Sequence, residues 1–324
     1  MDYPLLKDRG FYAAFYKKDR KAVEEQEGYV LKKRRNRPDI SCRAVLEIFR
    51  TEYMHMMTDP RNIVVLSMYL VFYEMILRKF IDMGVRMGKP INIVEPFLAV
   101  CSSEAVMLMF PLVFLVLISD FPRTEDNFRF YLVRVGKINW ILGQMLYAFM
   151  TAFTYVVVTL AVTCGMAAPY SFVGNRWSDV ATKFYLAFPE EKDSMINGLI
   201  NGRLYNQTTP FEALFHTILL YVLFLFLMSV VCFATYIFQE RVAGTCICGV
   251  IIITGCFAFF GSMKKMWCFP VAHVIAWAHY DMVFRKMIYP FSGSYLYFLI
   301  WIAVGSGMIV AGIRHKNFDV ENLS

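Results

Sequence analysis

Charge is scarce in this chain. Only 18% of its 324 residues are Asp, Glu, Lys or Arg, while 58% are hydrophobic; a soluble domain carries about 25% charged residues. So little polar surface could not cover the apolar side chains in water. An ordinary soluble enzyme and a disordered chain are therefore both excluded, and lipid becomes the main solvent. Catalytic signatures are missing too. The nearest string to a phosphate-binding loop, Gly84-Val85-Arg86-Met87-Gly88-Lys89-Pro90, is one residue short between its glycines and has proline where the magnesium-binding hydroxyl belongs. No His-Glu-x-x-His zinc helix occurs, and no internal repeat or low-complexity stretch. The first forty residues hold no apolar segment, so no cleavable signal peptide is expected.

The eight cysteines do not make a metal framework. Most lie inside apolar runs, where a thiol behaves as a small hydrophobe. Cys246-x-Cys248 has the wrong spacing for a zinc knuckle and lacks neighbouring partners. Cys164 and Cys268 both fall toward the outer side, which leaves a disulfide between them open.

What is present is hydrophobic length. Spanning a bilayer takes about 20 mostly apolar residues. Six segments qualify, at about 62–81, 96–118, 139–163, 213–238, 243–262 and 294–313. None alternates like a barrel strand, so the pattern predicts an all-α integral membrane protein of six transmembrane helices within 61–313. Residues 1–40 form a basic cytoplasmic tail ending in Lys32-Lys33-Arg34-Arg35-Asn36-Arg37, a run suited to anionic lipid headgroups and to fixing topology rather than to nucleic acid. Residues 41–60 predict an amphipathic helix lying in the interface. Val45, Leu46, Phe49, Tyr53, Met56 and Met57 make its apolar face and Pro60 ends it. With both termini inside, 21 of the 33 Lys and Arg fall on the cytoplasmic side, which orients the chain, leaving 314–324 as a second cytoplasmic tail. Trp267, Phe269, Trp277 and Phe284, mixed with Lys264, His273, His279 and Arg285, predict short outer helices before the last span.

Three groups of residues are candidates for function. Glu74, Arg78 and Glu104 lie at similar depth in the first two spans, where a charge costs roughly 2.5–3.5 kcal/mol and needs a partner or a wet cavity. They either line a transport path or pin two helices together. Gly305-Ser306-Gly307, with His273 as a base, has the elements of an intramembrane serine protease, although small residues in a membrane helix are more often packing surfaces. The loop 119–137 starts a short helix near Pro122 and Thr124, carries Glu125 and Asp126 in its first turn, and then exposes Phe128, Phe130 and Tyr131 beside Arg129 and Arg134. Aromatic and Arg side chains on a cytoplasmic helix form a docking knob for a soluble partner.

Six spans with cytoplasmic ends, an interfacial helix before the first, a helical second loop, the short loop Gln239-Glu240-Arg241 and outer helices before the last span together resemble the membrane subunit of a type-2 ATP-binding-cassette (ABC) transporter. The string Asp120-Phe121-Pro122 through Phe130-Tyr131-Leu132-Val133-Arg134-Val135-Gly136, followed by Trp140-x-x-Gly143-Gln144-x-Leu146-Tyr147, is similar to bacterial permeases of that group. The resemblance implies a permease subunit in the bacterial cytoplasmic membrane, working as an exporter and paired with a second permease subunit. It makes no bond itself and binds no cofactor. ATP and magnesium are expected on a separate cytoplasmic ATPase, which Glu125, Asp126, Phe128, Arg129, Phe130, Tyr131 and Arg134 would contact, with Gln239, Glu240 and Arg241 as a secondary contact. A stand-alone channel or secondary transporter is the alternative reading, and a membrane-embedded enzyme is less favoured.

Overall fold

A computed structural model describes residues 40–123, 135–191, 199–238, 241–261, 265–282 and 286–315. Among them the protein is all-α apart from two two-residue strands. Four helices are long and apolar enough to cross a membrane: α6 (Lys137–Ala167), α9 (Pro210–Phe238), α10 (Arg241–Phe260) and α12 (Phe291–His315). A fifth crossing arises if the bent pair α4 (Glu95–Ser102) and α5 (Glu104–Leu117) counts as one. These helices coincide with five of the six predicted segments to within a few residues. The central helix is α9, whose most apolar stretch is 72% buried against 28–39% for the other three. Uniform hydrophobicity around α9 has a simple cause: α6, α10 and α12 pack on it from several sides. Close approach needs small residues. A Cβ at Gly305 would stand 2.5 Å from Val230 Cγ1, so α12 meets α9 there.

The first predicted span departs from a regular rod. Its helix runs from Asn62 to Met87, but as α2 (Asn62–Phe72), a π-helical turn (Tyr73–Leu77) and α3 (Arg78–Met87). The apolar part, α2, is only 11 residues long, short of the roughly 20 a crossing needs. Beyond it Arg78, Lys79, Asp82 and Arg86 turn α3 into an amphipathic helix that buries Phe80, Met83 and Gly84 and packs on α7 (Asp179–Ala187).

Before it, α1 (Cys42–Met57) lies against α6. Ile48 and Met56 are buried, Leu46 and Met57 are exposed, and Tyr53 Oη bonds Thr154 Oγ1 at 2.7 Å. The buried edge is thus shifted from the apolar face read in sequence, because Gly143 on α6 leaves a notch that Ile48 fills.

A further layer is built on a parallel strand pair, β1 (Ile91–Asn92) with β2 (Ser171–Phe172). Glu95, fully buried at the start of α4, accepts from the Asn92 N–H at 2.9 Å and the Ser178 N–H at 2.6 Å. Asn92 Nδ2 in turn donates to Gly174 O and Arg176 O at 2.6 and 2.8 Å. Between α10 and α12 come a 3-10 turn (Met266–Cys268), the short helix α11 (Pro270–Val274) and a second 3-10 turn (Ala276–His279). All eight cysteines, Cys164 and Cys268 included, are free.

A cavity at a helix break, backed by a buried His-Ser-His trio

The site begins where α4 stops. Ser103 takes an extended conformation (φ −73°, ψ 126°), and α5 leaves at 90° to α4. A break inside an apolar bundle strands backbone carbonyls, and it persists only where neighbours bond them. Two neighbours do so here. Tyr221 Oη of α9 donates to Cys101 O at 2.9 Å, and Trp277 Nε1 donates to Ser102 O at 3.1 Å. Glu104 then opens α5, where the helix dipole favours a carboxylate.

Glu104 lines a cavity of about 700 Å³, within the range of small-molecule sites. Phe259 and Phe260 from the end of α10, with Trp267, Trp277 and Tyr289 from the segment between α10 and α12, supply aromatic walls. Arg203 stands in the same wall, its guanidinium 5.9 Å from the centre of the Trp277 ring, a cation–π separation. The cavity therefore offers flat apolar faces, one carboxylate and one guanidinium, which suit an amphipathic molecule bearing charge.

Trp267 and Tyr289, stacked at 4.5 Å, separate the cavity from a buried polar trio. His273 sits on α11, His279 ends the second 3-10 turn and Ser294 lies in the first turn of α12; all three are fully buried. Ser294 Oγ is 2.8 Å from His273 Nδ1 and 2.9 Å from His279 Nε2. The other ring nitrogens face carbonyls: His273 Nε2 lies 2.8 Å from Trp267 O, and His279 Nδ1 lies 3.1 Å from Ile275 O. Tyr297 stacks on His273 at 4.2 Å and Phe291 on His279 at 4.4 Å. Burial pushes the His279 imidazole down to about 4 and that of His273 in the same direction.

The sequence-derived candidates divide. Glu74 and Arg78 form an exposed ion pair at 2.8 Å. Glu104 is not its third member: among the described residues no hydrogen bond or ion pair joins it to either, and it faces the cavity with Arg203 instead. The helix bend at Ser103 redirects α5 and accounts for the difference. Ser306 bonds back to Ile302 O within its own helix at 2.7 Å, and His273 meets Ser294, not Ser306. Glu125, Asp126, Phe128, Arg129, Phe130, Tyr131, Arg134, Gln239 and Glu240 lie outside the described residues, and Arg241 is the first residue of α10. Sequence reading missed Arg203 and Ser294, which carry no local signal. It also missed the Asn92-x-x-Glu95 pairing, whose spacing is that of a capping box.

No family model matches the chain, and no curated protein and no solved structure is detectably similar to it.

Proposed function

We propose that this protein is the path-forming membrane subunit of a transporter, with the aromatic cavity at the α4–α5 break as a station for an amphipathic, charged cargo. The observation that carries this reading is the break itself. Interrupted helices mark substrate sites in transport proteins, and here Glu104, the first residue after the break, stands in the cavity wall while Tyr221 and Trp277 take up the freed carbonyls of Cys101 and Ser102.

In the reading favoured by the resemblance, the subunit is an ABC-type exporter permease of the bacterial cytoplasmic membrane. Six crossings, with the interrupted 62–87 helix and the broken α4–α5 pair each counted as one, would place both termini inside, and two permease subunits would share one cytoplasmic ATPase pair. Closure of the ATPases around ATP would push the 120–137 segment, with Gln239–Arg241 as second contact, and tilt the helices around the path. The anchoring of Arg123 to Asp59 and of Asp120 to Arg61 supports such a lever, because it ties the start of the segment to the turn after α1. The test is co-purification from native membranes. An ATPase subunit should accompany the chain, vanadate should inhibit the complex, and Phe130→Ala with Tyr131→Ala should weaken recruitment while leaving insertion intact. A complex that never contains an ATPase overturns this reading.

The broken α4–α5 pair also favours a second reading, a secondary transporter that uses the half-helix end at Glu104 as an ion or substrate site. Transport that persists without any ATPase and follows an ion gradient selects it.

A further inference from the structure

We infer that His273, Ser294 and His279 form a binding site for a single proton, held between two imidazoles through the serine hydroxyl. The inference comes from counting hydrogens. Four close contacts lie in series: Trp267 O to His273, His273 to Ser294, Ser294 to His279, and His279 to Ile275 O. Both ends of the series are carbonyl oxygens, which only accept. Each of the four contacts therefore needs its own hydrogen. A neutral imidazole carries one N–H and a serine one O–H, so the neutral trio supplies three. One of the four contacts, at 2.8–3.1 Å, then sets a lone pair against a lone pair.

A fourth hydrogen completes the series. With one ring as imidazolium, its second N–H donates to Ser294 Oγ, the hydroxyl donates on to the other ring, and both outer nitrogens still donate to their carbonyls. A fifth has no acceptor left, since two N–H groups would then point at one hydroxyl oxygen already holding its own hydrogen. The site takes one proton and refuses a second. Two forces decide when it loads. Burial opposes the charge, whereas the completed hydrogen-bond series and the stacked faces of Tyr297 and Phe291 favour it.

The surroundings leave the trio to itself. Among the described residues no carboxylate bonds either ring. Titratable groups on the packed elements include Tyr289 just before α12, Tyr295 and Tyr297 at its start, His216, Glu212 and Tyr221 on α9, and Cys256 on α10. Tyr297 Oη donates to Cys268 O, and Asp281, after His279, accepts from the Met282 N–H. The lysines nearest in sequence, Lys265 and Lys286, are exposed. Because Trp267 covers both imidazoles edge-on at 5.3 and 5.2 Å and lines the cavity, the proton would sit directly behind the cargo station. The proton count itself does not depend on any transport reading.

The experiment is nitrogen-15 NMR of the full chain in lipid nanodiscs, with histidine labelled and the two rings assigned by the loss of their signals in His273→Asn and His279→Asn. Between about pH 8 and about pH 4, which reaches the depressed range of the two buried rings, the pair should gain one imidazolium in total. Ser294→Ala, which removes the bridge, should weaken proton binding about tenfold or more, the worth of one such hydrogen bond. No proton taken up across that range, two taken up independently, or a Ser294→Ala titration that coincides with the wild type each overturns the site. Should Ser294→Ala fail to fold, the wild-type count of none, one or two still decides.

Discussion

The Arg123 guanidinium closes on the Asp59 carboxylate across 64 positions of chain. Both side chains are mostly shielded, at 17% and 10% exposure, and Arg61 beside them pairs with Asp120. Removing one partner of such a shielded pair leaves a charge stranded. Asp59→Asn is expected to lower stability by about 1–3 kcal/mol, and the double variant with Arg123→Ala should lose less than the two single losses combined. A thermal-melt cycle in detergent measures both. Full additivity would show that the pair is not coupled.

Gly143 is where α1 lands on α6. A Cβ there would stand 2.6 Å from Ile48 Cγ2, closer than any packed contact allows. Gly143→Ala should therefore push α1 away and cost about 1–3 kcal/mol, the range for overpacking. Pairing it with Ile48→Ala should restore part of the loss, because the truncated side chain vacates the same space. Protease sensitivity near residue 50, compared among the three variants, reads the detachment directly.

Glu95 ties the strand-pair layer to the bundle. Its two oxygens take the Asn92 and Ser178 N–H groups inside a fully buried site. Glu95→Ala should orphan both donors and remove roughly 2–6 kcal/mol of stability, at about 1–3 kcal/mol for each buried unsatisfied group. Glu95→Gln should cost less, since its carbonyl still satisfies one donor. Equal losses for the two variants would mean that side-chain volume, not hydrogen bonding, sets the effect.

The long helices were legible because hydropathy is a local signal: the runs around Thr151, Phe224, Ile252 and Ile302 are each apolar over more than 18 residues. The break at Ser103 was not. Neither Gly nor Pro marks it, and the groups that sustain it, Tyr221 and Trp277, come from 120 and 175 positions away. Glu74 and Arg78 were readable as an i, i+4 pair, whereas assigning Glu104 to them required a straight second span. Ser294 and Arg203 gained their roles only through tertiary placement. The loop expected to dock an ATPase, from Glu125 to Arg134, lies outside the described residues.

Acid should loosen the contact between Lys89 and α7 in a defined direction. Lys183 and Lys89 hold the Asp179 carboxyl down at about 2, below its ordinary 3.8, and Lys89 lies 2.6 Å from it across the α3–α7 contact. A depressed carboxyl binds fewer protons folded than unfolded. Its contribution is therefore complete above about 3.8 and fades as the pH falls toward 2. The groups are exposed, so salt should screen the effect. Asp179→Asn should lower the melting temperature slightly at neutral pH and low salt, with the difference vanishing at about 1 M salt and at the acid limit. A deficit that persists in high salt would point to packing, not charge.

Orientation can be decided by two cysteines. The proposed orientation, which follows the excess of Lys and Arg, has the N-terminal tail and the 119–138 loop in the cytoplasm and the 3-10 turn Pro189–Glu191 on the opposite side. Cys42, Cys246 and Cys268 are already exposed and must first be replaced by Ser. In that background Glu190→Cys should react with an impermeant maleimide on intact cells, whereas Asp126→Cys should react only after the membrane is opened. Because an odd number of crossings separates the two positions in the proposed six-span arrangement, labelling of both from one side would break that count. The reverse pattern would keep the count and invert the chain, placing the basic tail and the 120–137 segment outside and away from any ATPase.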